Sequence, residues 1–100
     1  MSETATTDWL DILKEQTRTG EQMGRQVPEM LAKPEITEGQ VKALFQALET
    51  QAEFVERLTA ILEDNGYDFD IISAAERLED KYADLAGEVA EKLKGMKVET

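Results

Sequence analysis

The sequence predicts an all-α fold, either a three-helix bundle or an antiparallel helical hairpin with an additional N-terminal helix, which dimerisation could complete. Apolar residues recur at helical spacing along three long segments. Capping residues, glycines and prolines separate these segments from one another. The 100 residues suit a single domain. Because a chain of this length buries only a modest core, its stability must come from well-packed helices or from association with another chain.

The first helix is expected at about residues 7–27. It would begin near the threonine at position 6 or 7, with Asp8 in the first turn, where the helix dipole favours an anion. Its apolar face carries Trp9, Ile12, Leu13, Met23 and Val27. Gly20 and Gly24 share that face, and their four-residue spacing lets a neighbouring helix approach closely. Pro28 disfavours helical geometry at the preceding residue and is expected to end or kink the helix.

The second helix is expected at residues 38–64, after a proline-bounded linker at residues 28–37. Thr37 and Gln40 are spaced as a capping box at its start. The pair Asn65-Gly66 is expected to end it, because glycine readily adopts the left-handed conformation found just after a helix.

Two sets of apolar residues run along the second helix. One is a heptad-type stripe of Val41, Leu44, Phe45, Leu48, Ala52, Val55, Leu58 and Leu62, and the other, beside it, is Ala43, Ala47, Phe54 and Ile61. Together they cover roughly 200° of the helix surface. Because a helix with one neighbour needs about half of that, the second helix is predicted to be the central element, with at least two partners.

The third helix is expected at about residues 71–94. Asp70 is the favoured N-cap, and a capping box of Ser73 and Glu76 is a competing start. Gly95 is expected to fray or end the helix. The apolar stripe consists of Ile71, Ala75, Leu78, Tyr82, Leu85, Val89, Leu93 and Met96. The short connection between the second and third helices predicts an antiparallel hairpin.

The residue composition argues against several classes of function. Acidic residues outnumber basic ones by 22 to 11, which gives a net charge of -11, so direct binding of nucleic acid is not expected. The chain has no cysteine and no histidine, and no nucleophile stands near a base in a familiar pattern. We therefore expect no enzymatic activity, no cofactor and no metal site. No apolar run approaches the roughly 20 residues that span a bilayer, and the polar N-terminus carries no secretory signal, so a cytoplasmic protein is expected.

The acidic connection at residues 64–71 invites comparison with the calcium-binding loop of an EF-hand. The comparison fails at the positions that matter most for the metal. Gly66 stands where a side-chain ligand belongs, Phe69 where a glycine should make the turn, and Ala75 where a bidentate glutamate belongs. The segment is therefore interpreted as the end of one helix and the start of the next, although whether it ever binds a cation stays open.

Two groups of residues are candidates for binding a partner. The first comprises Ala47, Phe54 and Ile61, which would mark a contact surface if the other helices leave them uncovered. The second is a ladder of carboxylates at four-residue spacing along the third helix, namely Glu76, Asp80, Asp84 and Glu88. This carboxylate ladder could imitate the phosphates of a nucleic-acid strand, or it could be the solvated face of the helix.

These observations give one leading hypothesis and two alternatives. The leading hypothesis is a non-catalytic helical interaction module, such as an adaptor, accessory subunit or regulator, that binds a protein partner or forms a homodimer. The first alternative is an acidic mimic of nucleic acid that occupies the basic surface of a nucleic-acid-binding protein. The weaker alternative is an amphipathic coat protein on a granule or lipid surface.

Overall fold

The computed structural model describes residues 8–98, which form three helices and no strand. The helices are α1 (Trp9–Leu31), α2 (Glu38–Asp64) and α3 (Phe69–Val98). The expected all-α three-helix bundle is confirmed. A connection of four residues separates α2 from α3, and these two helices pack along one another as the predicted hairpin.

Asp8 is the N-cap of α1 rather than part of its first turn. Its carboxylate oxygen Oδ1 accepts hydrogen bonds from the backbone N–H groups of Leu10 and Asp11, at 3.2 and 3.3 Å. A carboxylate in this position satisfies backbone donors that have no partner within the helix. The threonines expected to start the helix lie outside the described residues.

α1 continues through Pro28 and ends at Leu31, so the expectation that Pro28 ends the helix at about residue 27 is wrong. Proline removes only its own N–H, and its carbonyl still accepts a hydrogen bond from the N–H of Ala32 at 3.1 Å. Val27, the residue whose helical geometry a following proline disfavours, is fully buried. The burial of Val27 and the hydrogen bonds of the last turn therefore outweigh the local preference, and the linker shortens to residues 32–37.

α2 begins and ends at the expected residues, and both local signals act as predicted. The hydroxyl oxygen of Thr37 accepts from the N–H of Gln40 at 3.1 Å, while the side chain of Gln40 accepts from the N–H of Thr37 at 2.9 Å. At the other end, the side-chain amide of Asn65 donates to the carbonyl of Ile61 at 2.7 Å. Gly66 then adopts φ +72°, the left-handed conformation that favours glycine.

α3 begins earlier than expected, at Phe69. The N–H groups of Ile71 and Ile72 both donate to the carbonyl of Asp68, at 3.0 and 3.1 Å. Asp70 therefore lies in the first turn and is not the N-cap, and the competing start at Ser73 is also wrong.

α3 also ends later than expected, because Gly95 does not interrupt it. The helix continues to Val98. A glycine in a helix interior costs about 1 kcal/mol relative to alanine. Met96 packs against the buried core one residue further on, and this burial holds the last turn in place.

The core lies along α3. This helix packs against both other helices, whereas α1 meets α2 at fewer positions. The prediction that α2 is the central helix is therefore wrong. The buried apolar residues are Leu13 and Val27 of α1, Val41, Leu44, Leu48, Val55, Leu58 and Leu62 of α2, and Ala75, Leu78, Tyr82, Leu85, Ala86 and Val89 of α3.

The two glycines of α1 explain why this helix packs on α3. Gly20 is buried, and a β-carbon built on it would stand 2.7 Å from Leu78 Cδ1, closer than two carbon atoms can pack. A β-carbon on Gly24 would contact the stem of Lys81 at 3.5 Å. The absence of side chains at these two positions lets the backbones of α1 and α3 approach, as the spacing predicted.

The molecule is elongated, with principal extents of 59 × 27 × 18 Å and a radius of gyration of 16.4 Å. A compact domain of 100 residues has a radius of gyration of about 13 Å. The helices therefore present long lateral surfaces, and the candidate sites lie on them.

Candidate interaction surfaces

The outer stripe of α2, defined as Ala47, Phe54 and Ile61, stays on the surface after the bundle has formed. Ala47 is exposed and Ile61 is half-buried, and Phe54 keeps 37% of its surface accessible. The three residues are seven apart, which aligns them along one side of the helix. The structure therefore leaves uncovered the residues that the sequence nominated for a contact.

A depression at the α1–α2 connection continues this apolar surface. It has a volume of about 490 Å³, and Met30, Ile36, Ala43 and Leu44 contribute its apolar lining. Ala43 is exposed, and Met30 is 38% exposed. The apolar surface of α2 thus extends toward its N-terminus beyond the outer stripe.

The carboxylate ladder of α3 is exposed at all four positions. Asp80, Asp84 and Glu88 line a depression of 430 Å³ beside α1, and Arg77 and Lys81 line the same depression. Two cations among three carboxylates leave this surface only weakly negative. The ladder is therefore a solvated face of mixed charge rather than an unbroken row of negative charge.

A denser group of carboxylates, which shares Asp80 with the ladder, lies along the groove between α2 and α3. Its rims carry Glu49, Glu53 and Glu56 from α2 and Glu79 and Asp80 from α3, and no lysine or arginine lines it. Within residues 8–98, none of these five carboxylates takes part in an ion pair. We call this region, together with its floor, the acidic groove.

The floor of the acidic groove is apolar and low. It consists of Phe45, Ala52, Ala83, Ala86, Gly87 and Ala90, and the open volume above it is 520 Å³. A β-carbon built on Gly87 would meet no atom within 4 Å. No residue of α1 lines the groove, so it lies on a side of the hairpin that α1 does not cover.

One hydrogen bond fixes a rim of the groove to the helix opposite. The hydroxyl of Thr59, which is 6% exposed, lies 2.6 Å from Glu79 Oε2 and 2.9 Å from the carbonyl of Val55. A hydroxyl has a single proton, and the carboxylate is the stronger and nearer acceptor. Thr59 therefore positions Glu79 at the end of the groove where Glu56 lies.

Tyr82 carries a perturbed titratable group inside the bundle. Its side chain is fully buried, and its hydroxyl has no hydrogen-bond partner among the described residues. Burial raises the pKa of Tyr82 above its ordinary value of 10.0. The hydroxyl lies at the α1–α3 contact, 3.6 Å from a β-carbon built on Gly20, where Leu78 and the stem of Lys81 also stand. The ring of Tyr82 belongs to the core.

The 64–71 segment is split between two helices and a short connection. Asp64 ends α2, and Asp70 lies inside the first turn of α3. Among residues 8–98, no group of three or more histidine, cysteine or carboxylate side chains is arranged to hold a metal ion. In the same part of the chain, no helix combines the length and apolar character that crossing a bilayer requires.

No protein-family model, curated protein or solved structure matches this chain. What the bundle can bind is therefore inferred from its own surfaces.

The acidic groove was not predicted from the sequence, although part of its signal was visible. Glu49, Glu53 and Glu56 follow one another at spacings of four and three residues, which aligns them on α2. Ala83, Gly87 and Ala90 repeat in the same way on α3. Taken alone, the glutamates of α2 indicate a solvated helix face and the small residues of α3 indicate a small-residue face. Only the register of the α2–α3 hairpin places these two faces side by side.

Proposed function

We propose that this chain is a non-catalytic helical interaction module that forms a homodimer through the outer stripe of α2. The observation that carries the proposal is the exposure of Phe54 on a face that neither α1 nor α3 covers. Burying an exposed aromatic ring against a partner removes apolar surface from water and stabilises the complex.

The pattern of the stripe suits a two-fold symmetric contact. Phe54 is the midpoint between Ala47 and Ile61, so an antiparallel pair of α2 helices centred on Phe54 places the small Ala47 opposite the larger Ile61 of the second copy. Ala47 and Ile61 lie 14 positions apart, which is about 21 Å along the helix. This length is sufficient for a continuous seam of side chains between the two helices.

The charges of α2 favour the same face. At about 100° per residue, Glu49 and Glu56 lie about 140° and 160° from Phe54 around the helix, and Glu53 lies about 100° from it. The exposed neighbours nearest to the stripe include Thr50 and Arg57. An antiparallel contact here therefore keeps the three glutamates of each copy away from those of the other.

Sedimentation equilibrium of the wild-type chain and of Phe54→Ala tests the proposal. We expect the wild type to dimerise, and Phe54→Ala to weaken the dimer at least tenfold, because truncating a central hot-spot residue costs about 2 kcal/mol or more. Phe69→Ala is the matched control, because Phe69 is 79% exposed but lies outside the stripe. A monomeric wild type, or equal association of wild type and Phe54→Ala, would contradict the proposal.

The acidic mimic is a second candidate with weaker support. Arg77 and Lys81 stand among the carboxylates of the ladder and would repel a basic binding groove. If the ladder acts as a mimic, Asp80→Lys together with Asp84→Lys abolishes binding to a basic target while the helical circular dichroism is unchanged.

The coat-protein alternative has the least support. The apolar faces of all three helices already pack against one another in one core, so spreading on a lipid or polyester surface would require the bundle to open. Failure to float with granules or liposomes would exclude it.

For the interaction module, a cytoplasmic setting is proposed because the chain has no cysteine and needs no oxidising compartment.

A further inference from the structure

We propose that the acidic groove between α2 and α3 binds a basic amphipathic helix of another protein. This inference does not depend on the proposed homodimer, because the groove and the outer stripe lie on different sides of α2. Its grounds are the shape of the groove, the sign of its charge and the charges of this chain's own helices.

The shape of the groove fits a helix. Its lining runs over residues 45–56 of α2 and 79–90 of α3, which is about three helical turns, or 17 Å. Alanine and glycine at the floor leave room for a third backbone to approach both helices closely, at the interaxial distances of about 8–10 Å found in bundles. The half-buried ring of Phe45 supplies a larger apolar contact at one end.

The charge of the groove selects the chemistry of the occupant. Five carboxylates on the rims and no basic residue create a negative potential along an apolar floor, and such a cleft attracts cations. A helix with small or apolar residues on one face and lysines or arginines on its flanks matches both the apolar floor and the acidic rims. Because its long side chains extend outward from the floor, their charged groups reach the rims while their stems cover apolar surface.

The groove is also polarised along its length. Glu56, Glu79 and Asp80 lie at one end, where Thr59 holds Glu79 in place. Phe45 and Ala90 lie at the other end, because α2 and α3 are antiparallel. We therefore expect the occupant to place its most basic turn over Glu56 and Glu79 and an apolar turn over Phe45.

A second copy of this chain is a poor occupant. α1 contains four acidic and three basic residues, α2 six and two, and α3 seven and five. Each helix is therefore net acidic and would meet the five groove carboxylates with charge of the same sign. The occupant is accordingly a helix from a different, basic protein.

Fluorescence anisotropy with labelled synthetic peptides tests the inference on the full-length chain. The probe is a 14-residue peptide with alanine and leucine on one face and lysine on both flanks. Its controls are a scrambled peptide of the same composition and a peptide in which glutamate replaces every lysine. We expect saturable binding of the probe, binding at least tenfold weaker for both controls, and affinity that falls with added salt because the contact is charged.

Two groove variants locate the binding site. Glu53→Lys with Glu56→Lys reverses the charge of one rim. The first change makes the i,i+4 spacing with Glu49 attractive and that with Arg57 repulsive, so these two effects on the helix offset one another. Gly87→Leu fills the open floor where no atom stands within 4 Å of the β-carbon. Each variant should weaken probe binding at least tenfold while melting at or above the wild-type temperature.

The matched control is Asp84→Lys with Glu88→Lys, which changes the net charge by the same amount on exposed positions outside the groove. This variant and Phe54→Ala should bind the probe as the wild type does. If both lysine double variants lose the same affinity for the probe, the effect comes from net charge and not from the groove. If the scrambled peptide binds as tightly as the probe, the apolar floor does not contribute to binding. If Gly87→Leu abolishes self-association instead, the occupant is a second copy. Any of these results overturns the inference.

Discussion

At the scale of single residues, Tyr82 is the least ordinary side chain of the bundle. Among residues 8–98 it is the largest fully buried residue, and within the same range its hydroxyl finds no hydrogen-bond partner at the contact between α1 and α3. Burying a hydroxyl without a hydrogen bond costs about 1–3 kcal/mol in proteins. The ring therefore stabilises the core through its apolar surface, while the oxygen opposes that gain.

We predict that Tyr82→Phe raises the free energy of unfolding at pH 7 by about 1 kcal/mol, because it removes the unpaired hydroxyl and keeps the ring. The pH dependence has a defined sign. Burial raises the pKa of Tyr82 in the folded state above the value of 10.0 expected when unfolded, so the wild type loses stability as the pH rises through and above 10.

Urea unfolding between pH 7 and 11 measures both effects. Tyr82→Phe should lose less stability than the wild type above pH 10, because the two chains differ only in the hydroxyl of residue 82. Parallel stability curves for the two chains would show that ionisation of Tyr82 is not coupled to folding.

At the scale of helices, local signals predicted some boundaries and failed at others. The bounds of α2 follow from a capping box and an Asn-Gly end, which act within a few residues of the boundary. The start of α3 follows hydrogen bonds to the carbonyl of Asp68. The ends of α1 and α3 depend on which residues reach the core. Val27 and Met96 do so, and their burial carries the helices past Pro28 and Gly95.

The two candidate surfaces also differ in how far the sequence could predict them. The sequence nominated the outer stripe as a contact surface only on the condition that the other helices leave it uncovered. That condition is met because α3, and not α2, is the central helix of the bundle. The acidic groove could not be predicted, since it requires Glu56 of α2 and Glu79 of α3 to lie at the same level. That register is a property of the packed pair, as the contact from Thr59 to Glu79 shows.

The approach of α1 to α3 gives a prediction at this scale. Gly87→Ala should raise the free energy of unfolding by about 1 kcal/mol through helix propensity alone, because its β-carbon meets nothing. Gly20→Ala gains the same propensity but forces Leu78 Cδ1 to move from 2.7 Å. Overpacking of this kind costs about 1–3 kcal/mol, so Gly20→Ala should be the less stable of the two by about that amount.

Chemical denaturation of the two single variants beside the wild type is the measurement. The pair is matched because both replace a helical glycine with alanine. If both variants gain the same stability, α1 does not pack on α3 as closely as the structure shows.

At the scale of the whole molecule, charge is the dominant feature. The net charge of -11 acts against folding, because like charges repel one another more strongly in the folded chain than in the extended one. The ion pairs Lys42–Glu38 and Lys94–Glu91 connect exposed side chains within single helices, and such pairs contribute little. Added salt should therefore weaken the repulsion among the excess carboxylates more than it weakens the attraction within these ion pairs.

We predict that the melting temperature rises when sodium chloride is increased from about 10 mM to about 500 mM, since the Debye length falls from roughly 30 Å to below 10 Å. The variant Glu76→Gln, Asp80→Asn, Asp84→Asn, Glu88→Gln carries less charge and should show a smaller rise. Differential scanning calorimetry of both chains measures the difference. A melting temperature that falls with salt in the wild type would mean that attractive pairs dominate.

The extended shape of the bundle affects how its association can be observed. A single copy 59 Å long and 18 Å thick experiences more friction than a sphere of equal mass, so on a sizing column it elutes ahead of globular standards and resembles a dimer. Side-by-side pairing through α2 thickens the particle without doubling its length, which lowers the frictional ratio. Dimerisation of this chain should therefore shift its elution volume less than a doubling of mass suggests. A sizing column alone would underestimate the increase in mass on dimerisation.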